Sequence, residues 1–109
     1  MEIIWSKDAG DELLEIILYI KNNSGKIIAE KIFKRINDGV KKASDNAAGR
    51  RIAPMLKNFG INDIHQITVS PWTIFYKAGN NEMEIISIID QRRNLEEILY
   101  KKILDGKIV

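Results

Sequence analysis

Residues 65–93, HQITVSPWTIFYKAGNNEMEIISIIDQRR, decide the fold, because they read as three consecutive strands. Residues 65–69 alternate with period two, and residues 72–77 are rich in the aromatic and β-branched side chains typical of a half-buried strand. Residues 78–81 favour a tight turn, which predicts a hairpin between the second and third strands. Residues 83–89 are almost continuously apolar, which indicates a central strand covered on both faces.

The polarity of the sequence changes abruptly where this central strand ends. The apolar run is followed at once by Asp90-Gln91-Arg92-Arg93. Two arginines at the exit of a buried strand are the strongest functional indication in the sequence, because a guanidinium group binds either a phosphate or a carboxylate of a partner. The alternative is that one of these arginines packs on the sheet and pairs with Asp90 or another nearby acid.

The sequence before these strands predicts an edge strand and two helices. Residues 2–5 are the edge-strand candidate, Ser6 is a suitable helix N-cap, and apolar residues at helical spacing predict a first helix that ends near Lys21. After a tight connector, a second amphipathic helix is predicted from about Lys26 to Ser44. Two amphipathic helices joined by so short a link predict an αα-hairpin that covers the sheet.

The remaining segments complete an α+β fold. Residues 45–60 are predicted to form an irregular, basic loop. Asn94 and Glu97 resemble a capping box at the start of a last helix, which should stop near Gly106. The predicted order is β-α-α-β-β-β-α, with a small, mostly antiparallel sheet packed against the αα-hairpin. We expect residues 1–109 to form one domain.

Composition excludes several kinds of site. The chain has no cysteine and one histidine, so a disulfide framework and a thiolate metal site are impossible, and we expect no metal and no cofactor. No segment approaches the ~20 apolar residues that span a bilayer, and no signal peptide precedes residues 1–4. We therefore expect a protein of the reducing cytoplasm with no membrane partner.

Charge is distributed unevenly although the net charge is only +2. Residues 1–15 hold five acidic side chains and one basic one, whereas residues 31–57 hold eight basic and two acidic ones. The basic stretch could attract a phosphate-rich partner. The alternative interpretation is a solvated helix face.

Three motifs resemble those of the RelE/ParE superfamily of toxins from bacterial toxin–antitoxin modules, and the likeness covers almost the whole chain. Residues 49–52 (GRRI) resemble the superfamily's Gly-Arg-x-Val entry to the sheet. Residues 69–76 (VSPWTIFY) resemble its Val-Gly-x-Tyr-Arg-Ile-x-Tyr strand. Residues 88–94 (IIDQRRN) resemble the ParE-type motif Val-x-His-Gly-Arg-Arg-Asp. The order and spacing of the motifs agree with the predicted fold.

The resemblance implies the toxin of a type II toxin–antitoxin system, a class also known as plasmid stabilisation proteins or addiction modules, neutralised by direct binding of a cognate antitoxin. The ParE type implies inhibition by contact with a target such as DNA gyrase. The alternative is a RelE-like endoribonuclease that cleaves mRNA on the ribosome with a cluster of basic residues. His65 and Thr73 stand where the superfamily has arginines, and Asp90 stands where it has histidine. Since only Arg92 of the basic cluster is kept, the ParE-like alternative is favoured, and the strength of the toxicity is left open.

Five residues are candidates for the functional site. Arg50, Arg51, Arg92 and Arg93 are predicted to bind the target or the antitoxin, although a solvated loop explains Arg50 and Arg51 equally well. In the nuclease alternative His65 is the general acid or base, with Arg92 and Arg51 on the scissile phosphate. Strand alternation, however, places His65 on the same face as apolar neighbours, which predicts a structural histidine.

Overall fold

The computed structural model describes residues 1–45 and 51–108, with Arg51 described by its backbone alone. Strands and helices follow the predicted α+β order, with a two-residue strand and a four-residue helix added between the second long helix and the three consecutive strands. The elements are β1 (Glu2–Trp5), α1 (Lys7–Ser24), α2 (Lys26–Asp45), β2 (Arg51–Ile52), α3 (Pro54–Lys57), β3 (Ile64–Val69), β4 (Trp72–Ala78), β5 (Glu82–Asp90) and α4 (Leu95–Leu104).

The five strands form one sheet in the order β1-β5-β4-β3-β2. Strand β1 pairs with β5 in parallel, whereas β5, β4, β3 and β2 pair antiparallel in succession. Strand β5 lies between β1 and β4 and is therefore an interior strand of the sheet. This position agrees with its composition, because an almost continuous apolar run requires cover on both faces. The structure confirms the three predicted strands, the hairpin between β4 and β5, and the mostly antiparallel sheet.

Each face of the sheet carries its own core. On one face, Met83, Ile85 and Ile88 of β5 belong to a core shared with Ile36 and Val40 of α2. On the other face, residues of β5 and β4 pack with α3, α4 and the C-terminal segment; these are Ile86, Ile89, Phe75, Leu56, Leu99 and Ile108. The sheet therefore lies between the αα-hairpin and a second layer of short helices.

The αα-hairpin is fixed by a cap, a glycine and a close contact. The Ser6 side chain accepts a hydrogen bond from the backbone N–H of Ala9, as predicted for the N-cap of α1. Helix α1 continues to Ser24, beyond the predicted end near Lys21, and stops at Gly25, whose φ of 94° suits glycine. Helix α2 approaches β3 closely at Gly39, where a Cβ atom would lie 2.5 Å from Val69 Cγ2.

The prediction that residues 45–60 are irregular is wrong for Asp45, which ends α2, and for residues 51–52 and 54–57, which form β2 and α3. Strand β2 pairs its two residues with Gln66 and His65 of β3, and Pro54 occupies the first turn of the four-residue helix α3. Proline is compatible with that position because the first N–H groups of a helix have no intrahelical partner. Within residues 1–45 and 51–108, no helix has both the length and the apolar run needed to cross a bilayer.

Candidate functional site

The end of β5 opens into a groove that contains both arginines of the Asp90–Arg93 segment. We call it the arginine groove; its cavity volume is about 580 Å³. Its apolar floor comes from α1, β4 and β5, and its rim is charged. The lining residues are Glu12, Glu15, Ile16, Tyr19, Ile20, Trp72, Ile88, Asp90, Arg92 and Arg93. A concave apolar surface with a few polar groups is the usual form of a binding site.

Arg92 is held by Asp90, two residues before it. Its Nε atom lies 2.9 Å and 3.2 Å from the two carboxylate oxygens, its Nη2 atom lies 2.5 Å from Oδ2, and its backbone N–H also donates to Oδ1. The Arg92 guanidinium holds the pKa of Asp90 below its usual range, and Asp90 raises the pKa of Arg92 in turn. The charge of Arg92 is thus largely balanced within its own turn.

Arg93 is the more available cation of the pair. Its side chain is exposed and lines the groove, and among the described residues no carboxylate forms an ion pair with it. Its backbone N–H donates to the carbonyl of Asp90 at 3.1 Å, which fixes the turn that presents it. A partner carboxylate would therefore meet Arg93 without first displacing an internal one.

Trp72 forms part of the groove floor, and a third arginine covers it. The guanidinium carbon of Arg35 lies 5.9 Å from the centroid of the Trp72 ring, and Arg35 also donates to the carbonyl of Ser70. Arg35 was not predicted as a site residue. Arg35 lies one helical turn before Gly39, where α2 touches β3, and a contact of this kind between distant segments is not visible in the local sequence.

His65 lies elsewhere in the sheet. Its ring stacks on Tyr76 at a centroid distance of 5.4 Å, and its buried Nδ1 has no hydrogen-bond partner among the described residues. His65 pairs with Tyr76 in the register, whereas Trp72 of the same strand pairs with Asp90. Tyr76 and Trp72 are four residues apart along β4, which corresponds to roughly 13 Å. The structure therefore does not bring His65 together with Arg92.

Of the other two predicted arginines, Arg50 and Arg51, only the backbone of Arg51 is described. Arg50 lies outside the described residues. The backbone of Arg51 is in β2, opposite Gln66, and β2 is separated from β5 by two strands, β3 and β4. Thr73, which occupies the position of a superfamily arginine, is buried in β4. Among the described residues, no group of His, Cys, Asp or Glu side chains could hold a metal ion.

A partly buried ion cluster of Asp8, Glu12 and Lys102 lies beside the groove and was not predicted. Lys102 Nζ forms ion pairs with Asp8 and, at 3.1 Å, with Glu12, and only 11% of its side chain is exposed. Glu12 Oε1 also accepts hydrogen bonds from Ser87 Oγ at 2.9 Å and from the backbone N–H of Ile88 at 3.2 Å. The cluster therefore connects α4 to α1 and satisfies the edge of β5 beyond the end of β1.

The pKa shifts within the ion cluster have clear causes. Burial alone would lower the pKa of the Lys102 ammonium, but the hydrogen bonds and charges of Asp8 and Glu12 outweigh burial and raise it. The hydrogen bond from Lys102 lowers the pKa of Asp8 against the opposing effect of burial, and Lys107, 3.3 Å away, adds to the lowering. Lys102 and Asp8 therefore both stay charged near neutral pH.

Comparison with known proteins agrees with this fold. The model of the family described as ParE toxin of type II toxin–antitoxin system, parDE, matches residues 3–95. Among solved structures, a chain of the chromosomal ParDE TA system from P. aeruginosa is similar to this one with a TM-score of 0.66 and 20% sequence identity, covering 83% of this chain and 95% of that chain. At this identity the structural likeness shows the fold alone, and no curated protein matches the sequence. Because the family model spans most of its length, this chain belongs to the ParE toxin family of type II toxin–antitoxin systems.

Proposed function

We propose that this toxin acts by binding its target through the arginine groove, and that the target is DNA gyrase. Gyrase is the target that the ParE-type motif implies, and it lies in the cytoplasm, which is then the place of action. A cognate antitoxin neutralises the toxin by binding to it. The charge balance of the groove is the single observation that carries the choice of contact over RNA cleavage.

The groove presents a mixed charge rather than a positive one. Three carboxylates, those of Glu12, Glu15 and Asp90, line it together with only two guanidinium groups. A nucleic-acid backbone would meet carboxylates among these cations, even though Lys102 pairs with Glu12 and Arg35 lies over Trp72 of the floor, whereas affinity for phosphates rests on neutralisation by Lys and Arg. An apolar floor with charges of both signs at its rim suits a segment of a protein.

The state of Arg92 supports the same conclusion. A nuclease would direct this guanidinium at the charge that develops on the scissile phosphate. Here its Nε and Nη2 atoms are bound to Asp90, whose lowered pKa keeps it ionised. The candidate base His65 lies on β3, two strands from β5, and is offset from Asp90 by roughly 13 Å along the strand direction. These residues do not form the acid–base and cation arrangement that a RelE-like endoribonuclease needs.

The test measures inhibition of supercoiling by purified gyrase as the toxin concentration is raised. We expect Arg93→Ala to weaken inhibition by about 1–3 kcal/mol in binding, as the loss of a hydrogen bond to a charged partner does. We expect a smaller effect from Arg92→Ala because Asp90 already binds that side chain. Both variants should regain full inhibition at higher dose, since a higher toxin concentration compensates for a weaker affinity. Lys101→Ala removes an exposed cation of α4 outside the groove and serves as the control.

Three outcomes would contradict the proposal. A toxin that leaves gyrase active at every concentration does not have gyrase as its target. Cleavage of mRNA by the wild type in the presence of ribosomes, abolished by His65→Ala, would establish the RelE-like alternative. An Arg93→Ala variant that stays folded yet inert at every dose would show that this arginine acts in the transition state rather than in binding.

Binding of the antitoxin is tested by thermal unfolding. A partner that binds only the folded toxin raises the melting temperature through linkage, and a specific interface of more than about 1,000 Å² should produce a clear rise. The protein encoded beside the toxin gene is the partner to use. An unchanged melting temperature with that protein in excess would show that it is not the neutralising antitoxin.

A further inference from the structure

Strand β5 extends further along the sheet than its neighbour β1. The register pairs Glu2–Trp5 with residues 82–85 of β5, after which the chain turns away from the sheet into α1. Residues 86–90 of β5 are therefore covered by β4 on one side, whereas on the other side no strand of the described chain pairs with them. We call this side of residues 86–90 the free edge of β5. A strand edge presents backbone N–H and C=O groups to whatever lies beside it.

The hydrogen bonds between β4 and β5 determine which backbone groups point to the free edge. In an antiparallel ladder, opposite residues alternate between pairs that exchange two hydrogen bonds and pairs that exchange none. The N–H of Gln91 donates to the carbonyl of Pro71 at 2.7 Å, so the next pair, Asp90 with Trp72, is of the kind that exchanges none. The backbone groups of Asp90, and of Ile88 two residues earlier, therefore point away from β4 and towards the free edge.

The molecule satisfies only part of the free edge itself. Ser6 Oγ donates to the carbonyl of Ile86 at 3.3 Å, and the N–H of Ile88 donates to Glu12 Oε1 at 3.2 Å. The carbonyl of Asp90 accepts a hydrogen bond at 3.1 Å within the turn that follows it. Two groups remain, the carbonyl of Ile88 and the N–H of Asp90, and no hydrogen bond from the described residues reaches either of them. Both residues line the arginine groove.

We propose that a short extended segment of the target pairs with the free edge of β5 in the parallel direction and so continues the line of β1. This inference rests on the proposed function, which brings the target to the arginine groove. An antiparallel strand exchanges both of its hydrogen bonds with one residue, but one backbone group of Ile88 and one of Asp90 are already bound. A parallel strand bonds instead to the carbonyl of one residue and the N–H of the residue two positions later, and these are the two groups that remain. Main-chain bonds of this kind hold extended peptides on sheet edges.

The groove around the free edge determines which side chains the segment carries. Trp72 and Ile88 belong to its apolar floor and suit an apolar side chain. Arg93 is exposed at the rim, and within residues 1–45 and 51–108 no carboxylate forms an ion pair with its guanidinium group, which suits an acidic side chain. Successive side chains of a strand point to opposite sides, so one short segment can present both kinds. The segment is therefore an extended stretch of the target with an apolar and an acidic residue.

Asp90→Pro and Asp90→Ala form a matched pair of variants for the test. Both remove the carboxylate that binds Arg92, but only proline also removes the backbone N–H. Because this N–H points away from β4, proline interrupts no hydrogen bond of the sheet. We expect Asp90→Pro to inhibit gyrase at least about tenfold more weakly than Asp90→Ala, since the target segment loses one hydrogen bond and meets the proline ring. Equal inhibition by the two variants, both folded by circular dichroism, would overturn the strand pairing and leave the proposed function intact.

Hydrogen exchange of the wild-type toxin is an independent measurement and decides the matter if Asp90→Pro does not fold. The toxin exchanges in deuterated water alone or bound to gyrase, and NMR of the quenched sample reads each amide. We expect the Asp90 amide to slow at least about tenfold on binding, more than the Gln91 amide, which is already bonded to Pro71. An unchanged Asp90 rate in a complex that forms would overturn the pairing alone, and so would protection by the antitoxin but not by gyrase, which assigns the free edge to the antitoxin. A toxin that does not bind gyrase refutes the proposed function, and the pairing with it.

Discussion

Replacing Lys102 with methionine tests whether the ion cluster holds α4 against α1. The substitution keeps the length and apolar character of the side chain but leaves the carboxylates of Asp8 and Glu12 beside it without their shared cation. Removing one member of a buried ion pair destabilises a protein by about 3–5 kcal/mol. The carboxylates here are partly solvated, since 29% of the Asp8 and 22% of the Glu12 side chain is exposed. We therefore expect a loss of about 2 kcal/mol, below the fully buried case.

The loss is measured by thermal and urea unfolding. With an unfolding entropy of about 2.1 cal/mol/K per residue, a loss of about 2 kcal/mol lowers the melting temperature by roughly 9 °C. Lys101→Met is the matched control, because it makes the same change one residue earlier at an exposed position and should stay within about 0.5 kcal/mol of the wild type. The argument is refuted if Lys102→Met and Lys101→Met unfold together.

The pH dependence of the difference between Lys102→Met and the wild type follows from the pKa shifts. The pKa of Asp8 is lowered in the folded state, so its contribution is present above the ordinary Asp pKa of about 3.9 and is lost as pH falls through the lowered value. The pKa of Lys102 is raised, so its contribution is present below the ordinary Lys pKa of about 10.4 and is lost as pH rises through the raised value. The variant should thus be most destabilised between roughly pH 4 and pH 10.

Two further predictions concern the close contact of α2 and the single histidine. Gly39→Ala should destabilise the protein by about 1–3 kcal/mol, because the added Cβ lies 2.5 Å from Val69 Cγ2. Gly10→Ala is the control: this residue of α1 has open space around it, so the substitution should stabilise the protein by up to about 1 kcal/mol. Chemical denaturation measures the free energy of unfolding of both variants. His65→Phe should keep or raise stability, since the ring stacks on Tyr76 and its buried Nδ1 has no partner among the described residues, and a loss of toxicity in the folded variant would contradict its structural role.

Local sequence patterns were sufficient for the main elements of the fold. The apolar run of β5 and the alternation in β3 identified the strands, and helical spacing of apolar residues identified α1 and α2. Strand β2 and helix α3 could not be predicted this way, because a two-residue strand has no period. Strand β2 exists through its pairing with β3, and helix α3, which begins at Pro54, lies in a segment predicted to be irregular although proline is common at the start of a helix.

The candidate site was predicted only in part, for a related reason. Arg92 and Arg93 were identified from the polarity change at the end of β5, but the pairing of Arg92 with Asp90 is a property of the turn between them. Lys102 did carry a signal. It lies three residues after Leu99 in the apolar stripe of α4, and a lysine in such a stripe indicates a buried partner. Which acid is that partner depends on how α4 crosses α1, which no local pattern contains.

Helix α1 contacts the sheet, the ion cluster and the arginine groove through different faces. Leu13 and Ile16 face the sheet, Glu12 reaches the ion cluster and the edge of β5, and Tyr19 lines the arginine groove. Its outer face carries the exposed side chains of Leu14 and Leu18. A shift of α1 would therefore displace Tyr19 in the groove and Glu12 in the ion cluster together. An antitoxin that covers any part of α1 could for that reason affect target binding without touching either arginine.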